Sequence, residues 1–123
     1  MSGIETILIV DDDDLVREIP VIVLTDAGYT VLEATGAEEA FDRLNRHHVD
    51  LLFTDIAMPG VTNGVGIAEK ALTDNPRLKV LFTTGFRGSE QTTVAPWMKD
   101  HPVIYKPYNI DTLVETVRAL LDG

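Results

Sequence analysis

The stretch Thr6-Ile7-Leu8-Ile9-Val10-Asp11-Asp12-Asp13-Asp14 decides the fold. Four large apolar residues stand in an unbroken row, three of them β-branched, and four acids follow. An apolar run without alternation reads as a strand covered on both faces, the mark of a parallel sheet flanked by helices. The acids then fall where that strand ends and the chain turns. Asp13 and Asp14 suit the cap and first turn of a following helix, because acids favour the exposed N–H groups and positive dipole end there. Asp11 and Asp12 are left at the strand's carboxyl edge.

Working outward, similar short runs recur at residues 29–34, 49–54, 79–84 and 102–105, with amphipathic stretches at 14–27, 36–46, 64–73 and 110–121 between and after them. This alternation predicts an α/β domain with a parallel sheet of five strands. Thr35 and Glu38 have capping-box spacing ahead of the second helix, and Asn109 can cap the last. Pro20 is expected to kink the first helix or to begin its regular part. Between the last two strands, Gly85, Gly88, Thr92, Thr93 and Pro96 leave room for a short helix around 89–95 at most, so 86–101 is expected to be irregular and mobile.

Composition bounds the function. A chain of 123 residues with 45% hydrophobic content can bury one core, read as a single domain over 1–123 with its core at about 6–121. The net charge of −10 argues against direct binding to nucleic acid or anionic membranes. Asp11, Asp12, Asp13, Asp14 and Asp55 carry half of that charge. Zero Cys excludes disulfides and thiolate chemistry, and the first residues lack a signal-peptide pattern. With no apolar stretch long enough to span a bilayer, membrane insertion is not expected and the cytoplasm is the expected compartment.

The polar residues fall at strand ends: Asp11 and Asp12 after the first run, Asp55 after the third, Thr83 and Thr84 at the end of the fourth, and Lys106 after the fifth. Open α/β sheets bind ligands along that edge where strand order reverses, and in the order 2-1-3-4-5 the first and third strands flank the crevice. Three carboxylates about 4 Å apart repel by roughly 4 kcal/mol per pair at an effective dielectric near 20, so a cation is needed among them. Oxygen-only ligands without His or Cys suit Mg²⁺, with Mn²⁺ as the alternative. A carboxylate beside Mg²⁺, a hydroxyl and a lysine ammonium make a kit for phosphoryl transfer.

Four segments carry a family resemblance: Ile7-Leu8-Ile9-Val10-Asp11-Asp12-Asp13, Asp50-Leu51-Leu52-Phe53-Thr54-Asp55-Ile56-Ala57-Met58-Pro59-Gly60, Phe82-Thr83-Thr84-Gly85 and Tyr105-Lys106-Pro107-Tyr108. In this order and spacing the chain resembles the receiver domains of two-component response regulators over about 6–121. The resemblance implies a flavodoxin-like, doubly wound five-stranded parallel sheet in the order 2-1-3-4-5, with a short or irregular fourth helix. It implies that Asp55 accepts a phosphoryl group from a phosphohistidine on a sensor histidine kinase or phosphotransfer protein, switching a downstream protein partner. Asp11, Asp12, Asp55 and the backbone carbonyl of Ala57 would hold Mg²⁺. Thr84 matches the hydroxyl that moves toward the phosphoryl group, with Thr83 its competitor, and strand alternation points the two opposite ways. Lys106 matches the phosphate-binding lysine, and its bond to Pro107 looks like the cis peptide of such domains.

Departures from the pattern inform the mechanism. Val103 stands where many receivers place a switching Tyr or Phe, so the usual aromatic rotation is absent there. Phe82-Thr83-Thr84-Gly85-Phe86 is similar to receivers linked to hybrid histidine kinases, implying a phosphorelay role. Ala57 and Phe86 occupy positions that influence hydrolysis in related domains; neither can orient water, so autodephosphorylation is expected to be slow. The domain is then a phosphorylation switch rather than a metabolic enzyme. His47, His48 and His101 have the spacing of no common metal site. Trp97 and Met98 read as packing or a partner contact. Two further readings stand beside the switch: a haloacid-dehalogenase-like phosphatase using Asp11 with Asp13, and a scaffold that is never phosphorylated.

Overall fold

A computed structural model describes residues 4–56, 63–85 and 100–123. The unbroken apolar run becomes β1 (Thr6–Val10), and Ile7, Leu8, Ile9 and Val10 are all buried. Then follow α1 (Asp14–Asp26), β2 (Thr30–Ala34), α2 (Ala37–Arg46), β3 (Leu51–Asp55), α3 (Gly64–Asp74), β4 (Lys79–Thr84), β5 (Val103–Tyr105) and α4 (Ile110–Asp122). All strands are parallel, in the order β2-β1-β3-β4-β5.

Strand alternation divides the core into two layers. Leu8, Val10, Leu52, Val80 and Phe82 face α2 and α3, packing with Ala40, Ile67, Ala68 and Ala71. Ile7, Ile9, Leu51, Phe53 and Leu81 face the other way, against Leu24 of α1 and Leu113 and Val117 of α4. The three interior strands, β1, β3 and β4, therefore have no solvent-facing side. That fixes register, since a slip by one residue would exchange the two layers.

Helix ends follow local chemistry. Asp13 caps α1 by accepting from the Leu15 and Val16 N–H groups, and Asn109 caps α4 through Asp111 and Thr112. Gly28 ends the turn after α1 at φ +104°, a left-handed conformation that glycine adopts without a Cβ clash. One expectation needs correction, and one of the two alternatives for Pro20 is excluded. The helix at 36–46 has no Thr35–Glu38 box: Gly36 is its N-cap without a side-chain bond, and Thr35 bonds Glu39 instead through both its N–H (2.8 Å) and its hydroxyl (3.0 Å). Pro20 does not begin the regular part of α1, which already starts at Asp14 and runs through Pro20, whose ring is buried. The expected helix at 89–95 and the irregular segment around it lie outside the described residues, except for residues 100 and 101.

Candidate functional site

The sheet order sets β1 and β3 side by side, with β4 next to β3. Backbone bonds carry the ladders one residue past the strands: Asp11 N–H to Ala34 O (3.2 Å), Ile56 N–H to Thr83 O (2.9 Å) and Lys106 N–H to Thr84 O (2.9 Å). Asp11, Ile56 and Lys106 are thus tied into the ladders of the sheet. Lys106 Nζ reaches back to donate to Asp11 Oδ2 at 2.9 Å and to Asp55 Oδ2 at 2.8 Å. Asp11, Asp12 and Asp55 each present a carboxylate oxygen within 4.8 Å of the others. Sequence separations of 51 and 95 residues close at one point.

Asp11 and Asp55 are buried while Asp12 is exposed, so the cluster opens to solvent on one side. Three carboxylates around one ammonium leave two formal negative charges, which matches a divalent cation. The donor set is oxygen only and partly open, which fits Mg²⁺ retaining several waters. Burial pulls the Lys106 pKa down, but the hydrogen bonds it donates to Asp55 and Asp11 outweigh it and leave the ammonium above its ordinary value. Tyr108, beside Phe53 in an edge-to-face contact at 6.0 Å, is pushed up to about 12 by burial, against the opposing pull of Lys106. Its hydroxyl stays neutral.

Thr83 and Thr84 are both buried. Thr83 pairs with Asp55 across the sheet and follows Leu81 on the α1–α4 face, whereas Thr84 follows Phe82 on the opposite face. The Thr83 hydroxyl has no hydrogen-bond partner among the described residues. The Lys106–Pro107 peptide is cis. Val103 is half-buried and packs on the α2–α3 layer. Ala57, Met58, Pro59, Phe86, Trp97 and Met98 lie outside the described residues.

Two residues that sequence reasoning did not single out help to build the site. Gly64 opens α3 against the strand end that bears Asp55: its N–H donates to Ile56 O (3.2 Å), and a Cβ there would overlap the Asp55 carbonyl. Arg17, with a side chain only 11% exposed, donates to the Asp11 carbonyl (2.8 Å), Asp14 Oδ1 (2.7 Å) and Glu33 Oε1 (2.9 Å). Its spacing to Asp14 was visible in the chain as an i,i+3 pair; its bond to Glu33 on β2 required the fold.

The family model of the response regulator receiver domain matches residues 7–118. The chain is 33% identical over 115 residues to the response regulator receiver protein CpdR of Brucella abortus (strain 2308), covering 94% of this chain and 95% of that protein. It is 29% identical over 124 residues to the sensor kinase CckA of the same organism, covering 99% of this chain but only 13% of the kinase. A crystal structure of a CheY-like response regulator receiver domain protein from Methanospirillum hungatei JF-1 superposes with a TM-score of 0.86 at 28% identity, over 98% of this chain and 95% of the other.

Proposed function

The chain belongs to the response regulator receiver domain family, and from that membership we propose that it is a phosphorylation switch whose acceptor is Asp55. The observation that carries the reading is the Lys106 ammonium bridging Asp11 and Asp55, with Asp12 completing a three-carboxylate group. A carboxylate oxygen of Asp55 attacks phosphorus on a donor phosphohistidine. The P–N bond breaks, the imidazole leaves and takes up a proton, and Asp55 keeps an acyl phosphate. Lys106 already sits on the acceptor carboxylate, so its ammonium is placed to hold a phosphoryl oxygen as charge builds there. Asp11, Asp12 and Asp55 would hold Mg²⁺, joined by the Ala57 carbonyl. When bound, the ion would neutralise the phosphoryl oxygens. Phosphorylation adds about −1.5 to −2 charges beside Lys106, and the Thr84 hydroxyl at the end of β4 is assigned the second contact. Phe86 and Ala57 are assigned the slow loss of the phosphoryl group.

The partner reading is a histidine-bearing helix of a sensor kinase or phosphotransfer protein. Leu15, Ile19 and Ile22 recur at i, i+4 and i+7 on α1 and are more than half exposed, an apolar stripe left outside the core. A groove of about 400 Å³ lined by Val16, Ile19, Gly85, Lys106, Pro107 and Tyr108 joins that stripe to the lysine on Asp55. A helix seated there would present its imidazole toward the acceptor. The whole is read as one domain over 1–123, passing the change to a protein downstream.

The phosphatase reading loses support because Asp13, its would-be acid, spends its carboxylate capping α1. Incubation with Mg²⁺ and a small acyl-phosphate donor, followed by mass-spectrometric mapping, tests all three readings. Label at Asp55 that disappears in Asp55→Asn is the expected result. Label at Asp11 would support the hydrolase, and no label the scaffold.

A further inference from the structure

We infer that Arg17 is a positioning residue for the magnesium site, fixing the peptide plane between Asp11 and Asp12 so that both carboxylates aim at one ion. The inference rests on the magnesium reading above. Every other polar group of Asp11 is already held: its N–H by Ala34 O, Oδ1 by the Asp13 N–H (3.0 Å), and Oδ2 by Lys106. The carbonyl is the remaining group, and among the described residues no backbone N–H donates to it. Arg17 Nη1 supplies that bond at 2.8 Å. A peptide plane rotates through the ψ of the residue before it and the φ of the residue after it. Turning the Asp11 carbonyl would therefore swing the Asp12 side chain, which is exposed.

The guanidinium can act as a clamp because it is itself fixed. Nε is bonded to Glu33 on β2 and Nη2 to Asp14 on α1, so the planar fork spans strand, turn and helix. Glu33 lies opposite Ile9 in the β1–β2 register, two residues before Asp11. The anchor and the clamped carbonyl thus belong to adjacent, hydrogen-bonded strands.

Charge alone makes the opposite prediction, which gives the test its force. Arg17 is a positive group near a cation site, so by Coulomb's law its removal should tighten Mg²⁺ binding. Positioning requires that removal weaken it. The experiment is calorimetric titration of the full chain with MgCl₂ in the wild type, Arg17→Met and Arg17→Lys, with thermal unfolding confirming that each variant is folded. The expected result is a Kd for Mg²⁺ raised roughly tenfold in both variants, the size typical of losing an outer-shell partner. Arg17→Lys is the sharper case, since it keeps the charge and loses the fork. An unchanged Kd in Arg17→Lys, or a lower one in Arg17→Met, overturns the inference while leaving the magnesium reading intact. Absence of Mg²⁺ binding in the wild type overturns both. Should the Arg17 variants not fold, Glu33→Gln keeps the arginine and loosens its anchor. A weakened Mg²⁺ affinity is then expected, and an unchanged one contradicts the inference.

Discussion

Asp50 and Asp55 sit five residues apart at the two ends of β3, and their surroundings differ in kind. At the amino edge, Asp50 accepts from the Thr6 N–H at 2.8 Å and lies 3.0 Å from His48 Nε2. Its neighbour there, Glu5, is bonded to Arg118, which also meets the Tyr29 hydroxyl and Asp122. Each acid at that edge has donors of its own. At the carboxyl edge, Asp11 and Asp55 share one lysine, and Asp12 adds a third carboxylate beside them. The acids at the amino edge are matched locally, whereas those at the carboxyl edge outnumber their cation, a donor set that fits a divalent ion.

The comparison can be broken most severely at Lys106. Lys106→Met removes the ammonium that bridges two buried carboxylates, and a loss of about 3–5 kcal/mol is expected in metal-free denaturant unfolding. Added Mg²⁺ should restore part of it; a loss below about 1 kcal/mol would show that the lysine is not needed to hold the acids. The sign with pH follows from the raised Lys106 pKa. Its contribution is fully present below the unfolded lysine value near 10.4 and is lost as pH rises through the folded value. Stability of the wild type should therefore fall above about pH 10.4 more steeply than that of Lys106→Met.

Gly64→Ala comes next. The new methyl collides with the Asp55 backbone rather than with a flexible side chain, so about 1–3 kcal/mol is expected, together with slower labelling of Asp55. Unchanged stability and labelling would show that α3 can retreat freely. At the quiet edge, Asp50→Ala removes one charged acceptor at an expected cost of about 1–2 kcal/mol. Mg²⁺ should not change that cost, and a Mg²⁺-dependent value would erase the distinction between the two ends. The smallest effect carries the opposite sign. Thr83→Val replaces a buried hydroxyl that has no hydrogen-bond partner among the described residues with a methyl of similar shape and should add about 1 kcal/mol. Destabilisation would mean that the hydroxyl has a partner in solution.

The sheet was legible because its central strands are dry on both sides, and the runs at 6–10 and 79–84 coincide with β1 and β4. The run at 49–54 starts early: Val49 is buried, but its neighbour Asp50 is engaged with β1 through both its N–H and its carboxylate, and β3 begins at Leu51. The order of the strands came from family resemblance, since apolar runs say where strands are and not which ones are neighbours. Asp11, Asp12, Asp55 and Lys106 could be found because each ends a strand. Arg17 and Gly64 could not, because what matters about them is a contact made across elements. The Thr35 bond fell to Glu39 instead of Glu38 for a related reason. Both acids lie in the first turn of α2, and one-residue spacing does not decide which side chain turns back.

The most direct test of the central claim is fluorine NMR of the protein titrated with beryllium trifluoride, a phosphoryl mimic, with and without Mg²⁺. A bound species that requires both Mg²⁺ and the Asp55 carboxylate, and that disappears in Asp55→Asn, is the predicted result. A bound signal that persists in Asp55→Asn, or none at all in the wild type with Mg²⁺ present, would contradict it.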